Sequence, residues 1–268
     1  MNPGDGAQGE CYASRRPRAL RRQGSLMPLA NLPKTKIVAT LGPATESMEM
    51  LEALVEAGVN VFRLNMSHLD HDGADLLVGR IRKVSHRVAI MVDLQGPKMR
   101  LTELDEPAQV EPGDRLRLKS GEEASSREAL FVPFAELVEA LEPGHRVLID
   151  DGRIRLKVVS REDDGVEAEV VAGGVIKSRK GIATPDARVT PHVYLSPQDL
   201  DDLRFAAHKE VDFVAASYVS RADDIRSVRD NLGEDHAHIG IIAKIESRTG
   251  VDNADEILEV ADGIMVAR

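Results

Sequence analysis

Ile239-Gly-Ile-Ile-Ala-Lys-Ile-Glu246 is an apolar run that stops on an ammonium and a carboxylate. Residues two apart on a strand point to one face, so Lys244 and Glu246 leave the strand end together. The pattern recurs along the chain. Val59–Phe62 runs into Arg63 and Asn65, Val88–Val92 into Asp93, Val211–Ala216 into Ser217, and Gly263–Ala267 into Arg268. Stretches of helical periodicity lie between most of these runs. Continuous apolar strands joined by helices are the grammar of a parallel sheet buried on both faces. In a (β/α) barrel the catalytic groups come from the C-terminal ends of different strands. The spacing therefore predicts an α/β enzyme whose site lies along that edge.

Outward from these strands, the organisation follows from local signals. Lys36–Thr40 is a short strand, and Glu46–Ala57 is helical with Gly58 placed to end it. A further helix covers Ala74–Val84. Between residues 102 and 187 the pattern changes to short alternating runs and turn dipeptides, such as the hairpin signal Asp150-Asp151-Gly152. That stretch reads as an inserted all-β domain, a hinged lid leaving from the active edge. Ser196, Pro197 and Asp199 then start a helix through His208, Ser220 caps another through Leu232, and a last one lies near Asp255–Val260. The expected domains are a disordered leader over 1–33, a first barrel part over 34–101, the lid over 102–187 and a second barrel part over 188–268. Six strand candidates lie outside the insertion, whereas a closed (β/α)₈ TIM barrel needs eight, so the barrel is expected to be incomplete.

Bulk properties exclude several classes. A formal net charge of −10 and the absence of Trp argue against a nucleic-acid partner. The single cysteine, Cys11, permits no intrachain disulfide. No apolar run approaches the roughly 20 residues that span a bilayer. A cytoplasmic protein with no membrane partner is expected, and Met27 is a candidate start after the Arg-rich leader.

Lys244 and Glu246 suit either of two roles. A carboxylate there can hold a hard cation such as Mg²⁺, and a lysine can stabilise charge on a phosphoryl group or an enolate. The same pair can be a structural ion bridge. Arg63 reads as an anchor for phosphate or carboxylate, while Asn65 and Ser67 can hold a cation or cap the following helix. Asp93 precedes a forced turn at Gly96-Pro97, with Lys98 and Arg100 adding cations nearby. Lys177-Ser-Arg-Lys180-Gly181 can cover phosphates from the insertion. His68, His71, His208, His236 and His238 show no metal spacing and read as surface or capping residues.

Together these segments resemble pyruvate kinase. The likeness rests on Lys34-Thr-Lys-Ile-Val-Ala-Thr-Leu-Gly-Pro-Ala-Thr45, Phe62-Arg-Leu-Asn-Met-Ser-His68 and Asp93-Leu-Gln-Gly-Pro-Lys-Met-Arg100, continuing through Ile149-Asp-Asp-Gly152, Ser178-Arg-Lys-Gly181, Ala243-Lys-Ile-Glu-Ser247 and Asp262-Gly-Ile-Met-Val-Ala-Arg268. The resemblance implies transfer of the phosphoryl group of phosphoenolpyruvate to ADP, giving pyruvate and ATP, the last step of glycolysis. It implies that Arg63 holds the substrate phosphoryl group, Lys244 stabilises the transition state and Glu246 binds Mg²⁺ or Mn²⁺. Asn65, Ser67, His68, Arg100 and Lys180 would contact nucleotide, and Asn65, Ser67 and Asp93 would seat a monovalent cation. A full-length homotetramer is also implied.

The departures carry expectations of their own. Leu94 offers no side-chain oxygen where K⁺-dependent members use Thr, and Lys98 stands where they carry Glu, so its ammonium is expected to replace K⁺. Ala183-Thr-Pro-Asp186, Ser247 and Thr249 also differ from the usual pattern. The family pattern runs on past Arg268 with Gly-Asp, whose Asp is the second Mg²⁺ ligand. The 268-residue chain by itself is therefore expected to be poorly soluble and inactive. The alternatives are a non-catalytic protein that binds ligand or full-length subunits, and a Mg²⁺-dependent aldolase of the pyruvate or phosphoenolpyruvate type.

Overall fold

The computed structural model describes residues 34–97 and 99–267. The leader with Cys11 and Met27, Lys98 and Arg268 lie outside the described residues. The first strands and helices alternate: β1 (Val38–Thr40), α1 (Met48–Glu56), β2 (Val61–Asn65), α2 (His71–Val84) and β3 (Ala89–Asp93). An antiparallel region follows with β4 (Ala108–Val110), β5 (Arg115–Ser120), β6 (Ala129–Val132), α3 (Ala135–Glu139), β7 (Arg146–Ile149), β8 (Ile154–Glu162), β9 (Gly165–Ala172), β10 (Gly174–Ile176) and β11 (Ile182–Ala183). The alternation then resumes with α4 (Pro197–His208), β12 (Phe213–Ala216), α5 (Ala222–Leu232), β13 (Gly240–Ile245), α6 (Arg248–Asp252), α7 (Ala254–Leu258) and β14 (Gly263–Val266).

The alternating strands form one six-stranded sheet in the order β1-β2-β3-β12-β13-β14, parallel throughout. The α/β expectation of six strands therefore holds. The central strands β3 and β12 are buried along nearly their whole length, as a sheet covered on both faces requires. At the two margins of this sheet, Val38 on β1 and Val266 on β14 are exposed.

Local chemistry fixes the helices. Ser47 caps α1 through Met50 N, and Gly58, at φ +99°, supplies the left-handed turn that ends it. At α4 the capping box is complete: Ser196 Oγ accepts from Asp199 N at 3.1 Å, and Asp199 Oδ2 accepts from Ser196 N at 3.0 Å. Two boundaries differ from the sequence reading. Arg221 is the N-cap of α5, not Ser220, because the Asp224 carboxylate accepts from both Ser220 N and Arg221 N. The helix expected near Asp255–Val260 is α7, which starts one residue earlier and ends at Leu258, and a further short helix, α6, precedes it across Asn253, whose Nδ2 donates to Ser220 O at 2.8 Å.

This mostly antiparallel region has a six-stranded sheet, β11-β7-β8-β9-β5-β6, in which only the β5–β6 pair is parallel, and an antiparallel two-stranded one, β10-β4. Along β8 burial alternates strictly at first, with Ile154, Leu156 and Val158 inward. The region is not all β: Leu137 and Val138 of α3 are buried in its core. That core is distinct from the one beneath the parallel sheet. Phe62, Leu64, Ile90, Val214 and Ile241 belong to one cluster, and Leu118, Leu130, Val147, Ile149 and Leu156 to the other. The two connecting segments run side by side, with Leu101 N donating to Lys180 O at 2.9 Å and Ile182 N to Met99 O at 3.1 Å.

Candidate active site

The C-terminal ends of the parallel strands carry one continuous hydrogen-bonded row that follows the strand order. Thr40 ends β1, and its Oγ1 accepts from Arg63 Nη1 on β2 at 2.9 Å. Arg63 Nε donates to Asp93 Oδ2 on β3 at 2.6 Å, and its Nη2 contacts the same oxygen. Asp93 Oδ1 accepts from Lys244 Nζ on β13 at 3.0 Å. Between β3 and β13 lies β12, and Ser217 at its end closes the gap, its Oγ 2.6 Å from Lys244 Nζ. Glu246 stands beside Lys244, Oε1 3.6 Å from Nζ, and its Oε2 accepts from Tyr218 N at 2.9 Å.

The row works because adjacent parallel strands bring their ends to one level and the polar groups start where the apolar runs stop. Asp93 is 1% exposed and Lys244 7%, so both charges are almost fully withdrawn from water. Such burial is tolerable only when charges are paired and hydrogen-bonded. Two cations and two carboxylates alternate here, which meets the condition. Arg63 uses three of its five N–H donors on Asp93 and Thr40, leaving two for an incoming anion.

The sequence-predicted residues divide into three groups. Arg63, Asp93, Lys244 and Glu246 converge on the row. Asn65, Ser67 and His68 lie just beyond β2, where the Asn65 side-chain oxygen accepts from Ser67 N at 3.1 Å, the local capping role. Ser67 and His68 line a polar cleft of about 680 Å³ with Gln95 and Asp70. Arg100 and Lys180 sit at the paired connecting segments: Arg100 Nη1 donates to Arg179 O at 2.9 Å, and Lys180 Nζ is 2.7 Å from Asp150 Oδ1. That lysine holds the Asp150 carboxyl below its ordinary pKa. The monovalent-cation position has competing occupants, since both Asp93 oxygens are engaged by Arg63 and Lys244. Lys98, expected to supply the replacing charge, lies outside the described residues.

His71 differs from its surface or capping reading, because its Nε2 lies 2.7 Å from Oδ1 of Asp202, a buried carboxylate. Four further residues matter that sequence reasoning left without a role. Thr40 and Ser217 carried the strand-end signal. Tyr194 carried none; it is buried, and its hydroxyl donates to Ser217 O at 2.8 Å. Burial, together with surrounding carboxylates, pushes its phenol well above the ordinary pKa. Tyr218 adopts φ +56°, a left-handed conformation uncommon for a bulky residue and concentrated at functional sites. It borders an apolar cleft of about 440 Å³ shared by Glu246, Pro97, Ile182, Thr184 and Arg248.

Residues 32–268 match the family model for the pyruvate kinase barrel domain. The chain belongs to the pyruvate kinase family. It is 41% identical over 244 residues to a pyruvate kinase of Geobacillus stearothermophilus and 40% identical over 243 residues to one of Staphylococcus aureus strain MRSA252. Each alignment takes in 88% of this chain and 41% of the relative, so the chain spans less than half the length of those pyruvate kinases. The whole row from Thr40 to Glu246 falls within the matched barrel segment.

Proposed function

We propose that the protein carrying this sequence transfers the phosphoryl group of phosphoenolpyruvate to ADP, yielding pyruvate and ATP. The observation that supports it is the Lys244 ammonium, buried and held between Asp93 and Ser217 beside the Arg63 guanidinium. Phosphoryl transfer asks little covalent work of a protein and much positioning and charge. Arg63 offers its two remaining N–H donors to the substrate phosphoryl group. Lys244 faces the developing enolate oxygen, whose charge it stabilises more as the P–O bond breaks.

Glu246 would hold a divalent metal. Among the described residues no group of three or more His, Cys, Asp or Glu is disposed to bind an ion. Mg²⁺ fits a site of one or two carboxylates completed by water and substrate oxygens, and Glu246 has an oxygen not committed to Tyr218 N. When bound, Mg²⁺ or Mn²⁺ would supply positive charge that offsets the charge developing on the substrate. Nucleotide would lie against Asn65, Ser67 and His68, with Arg100 and Lys180 meeting its phosphates. The partly exposed Lys180–Asp150 pair is a weak tie that an incoming phosphate can replace.

The reaction would not require K⁺, a reading supported by the engaged Asp93 carboxylate and by the apolar Leu94. Two measurements test these readings. Incubation of the intact protein as its native source makes it with phosphoenolpyruvate, ADP and Mg²⁺ should form pyruvate and ATP in equal amounts; pyruvate without ATP, or binding without turnover, would reject the kinase. Titrating KCl against tetramethylammonium chloride should leave the rate flat, and strong K⁺ activation would reject cation independence.

A further inference from the structure

Thr40 and Ser217 are the neutral members of the strand-end row, and Ser217 is the one that meets Lys244. It stands where β12 separates the Asp93 strand from the Lys244 strand. Its hydroxyl has one proton, and the best acceptor for it is Leu94 O at 2.7 Å, Asp93 Oδ1 being further at 3.3 Å. The oxygen lone pairs are then free to accept from Lys244 Nζ at 2.6 Å, shorter than either Lys244–Asp93 contact.

Ser217 is itself held rigidly. Tyr194 donates its hydroxyl to the Ser217 carbonyl at 2.8 Å. Gly96 packs directly on Ser217, so closely that a Cβ there would lie 2.6 Å from Ser217 O and 2.9 Å from its Cβ. Gly96 N in turn donates to Asp199 Oδ1 at 3.0 Å, which ties the turn after β3 to the cap of α4. A lysine stem is long and flexible, with several rotamers of similar energy. A rigid neutral acceptor restrains it without neutralising its charge, which a carboxylate cannot do.

We propose that Ser217 is a positioning residue for Lys244, fixing the ammonium at the strand ends by accepting a hydrogen bond from it. This rests on the kinase reading for its catalytic consequence only. Without the hydroxyl, the nearest acceptors left to Nζ are the Asp93 and Glu246 carboxylates, and the amine shifts toward them.

The test compares wild type with S217A and S217C, all in the intact protein. Cysteine keeps the shape but accepts hydrogen bonds weakly, so it separates packing from acceptance. If S217A fails to fold, S217C carries the test. Both variants should lose about 10- to 100-fold in kcat, the size seen when outer partners of a functional group are removed, with KM for phosphoenolpyruvate within about threefold. The second readout needs no turnover. Competitive labelling with acetic anhydride, which reacts with the neutral amine, read by peptide mass spectrometry, should acylate Lys244 several-fold more slowly in the variants, the carboxylates then holding the ammonium more closely, with other lysines unchanged. Unchanged Lys244 labelling overturns the proposal whatever the rates. An unchanged kcat, or S217C behaving as wild type, overturns it as well. If wild type itself shows no turnover, the kinase reading falls, and the labelling alone decides the role of Ser217.

Discussion

In the parallel sheet Asp93 and Lys244 are buried and meet through the ends of three neighbouring strands, whereas in the antiparallel region Arg115 and Glu167, or Arg146 and Asp186, meet on the solvent side. The difference follows from the two sheet types. A parallel sheet covered on both faces has no wet side along its strands, so its polar groups collect where the strands stop. An antiparallel sheet with one wet face distributes charge along every strand, and each pair there is screened. Substitutions should therefore act very differently in the two places.

The largest effect is expected at Asp93. Asp93→Ala leaves Arg63 and Lys244 facing each other without the carboxylate that both contact. Removing one member of a buried ion cluster costs about 3–5 kcal/mol, and activity should vanish with it. Urea unfolding reads the stability directly. A loss below about 1 kcal/mol would mean that water reaches the row and screens its charges.

Next are the two cores, which we propose belong to separate domains with boundaries near residues 101 and 187. Leu64→Ala and Leu118→Ala each empty a fully enclosed site, and each should cost about 2–5 kcal/mol. Hydrogen exchange should accelerate only in the region that carries the substitution. Acceleration spreading evenly through both regions would make them a single cooperative unit.

Much of the site was legible because strand ends leave a one-dimensional trace. Arg63, Asp93, Ser217, Lys244 and Glu246 all follow apolar runs, and the Ser196–Asp199 capping box is local in sequence. What the sequence hid is tertiary. Nothing local says that Asp93 faces Lys244 151 positions later, or that Asp199 both caps a helix and holds Gly96 N. Similarly, α3 is too short to show a period, and the Asn253 side chain between α6 and α7 bonds to the carbonyl of Ser220 in the loop before α5.

Gly96→Ala sharpens the contrast at intermediate cost. Gly96 has φ +66°, and its missing side chain is where Ser217 sits. Strain of this kind is worth about 1–3 kcal/mol, less than loss of Asp93 in stability. Its effect on kcat should still approach that of S217A, because Ser217 has to move. If kcat is untouched while stability falls, the turn supports the fold and not the row.

The smallest effect is expected on the wet face. Arg146 donates to Asp186 through Nη2 at 2.6 Å, Nε at 2.8 Å and its backbone N at 2.9 Å. The side-chain hydrogen bonds first, then the backbone one, hold the Asp186 carboxyl far below the ordinary range. A depressed folded pKa means that the unfolded chain takes up protons first as pH falls. The contribution is thus complete above the ordinary Asp pKa of about 3.9 and drains away as pH drops from there toward the folded value. The stability gap between wild type and Asp186→Asn should be small and constant across neutral pH, shrink in 1 M NaCl as screening tightens to about 3 Å, and close in acid. A gap that widens in acid would show Asp186 acting as a proton donor, which an exposed carboxylate gripped by a guanidinium has no reason to do.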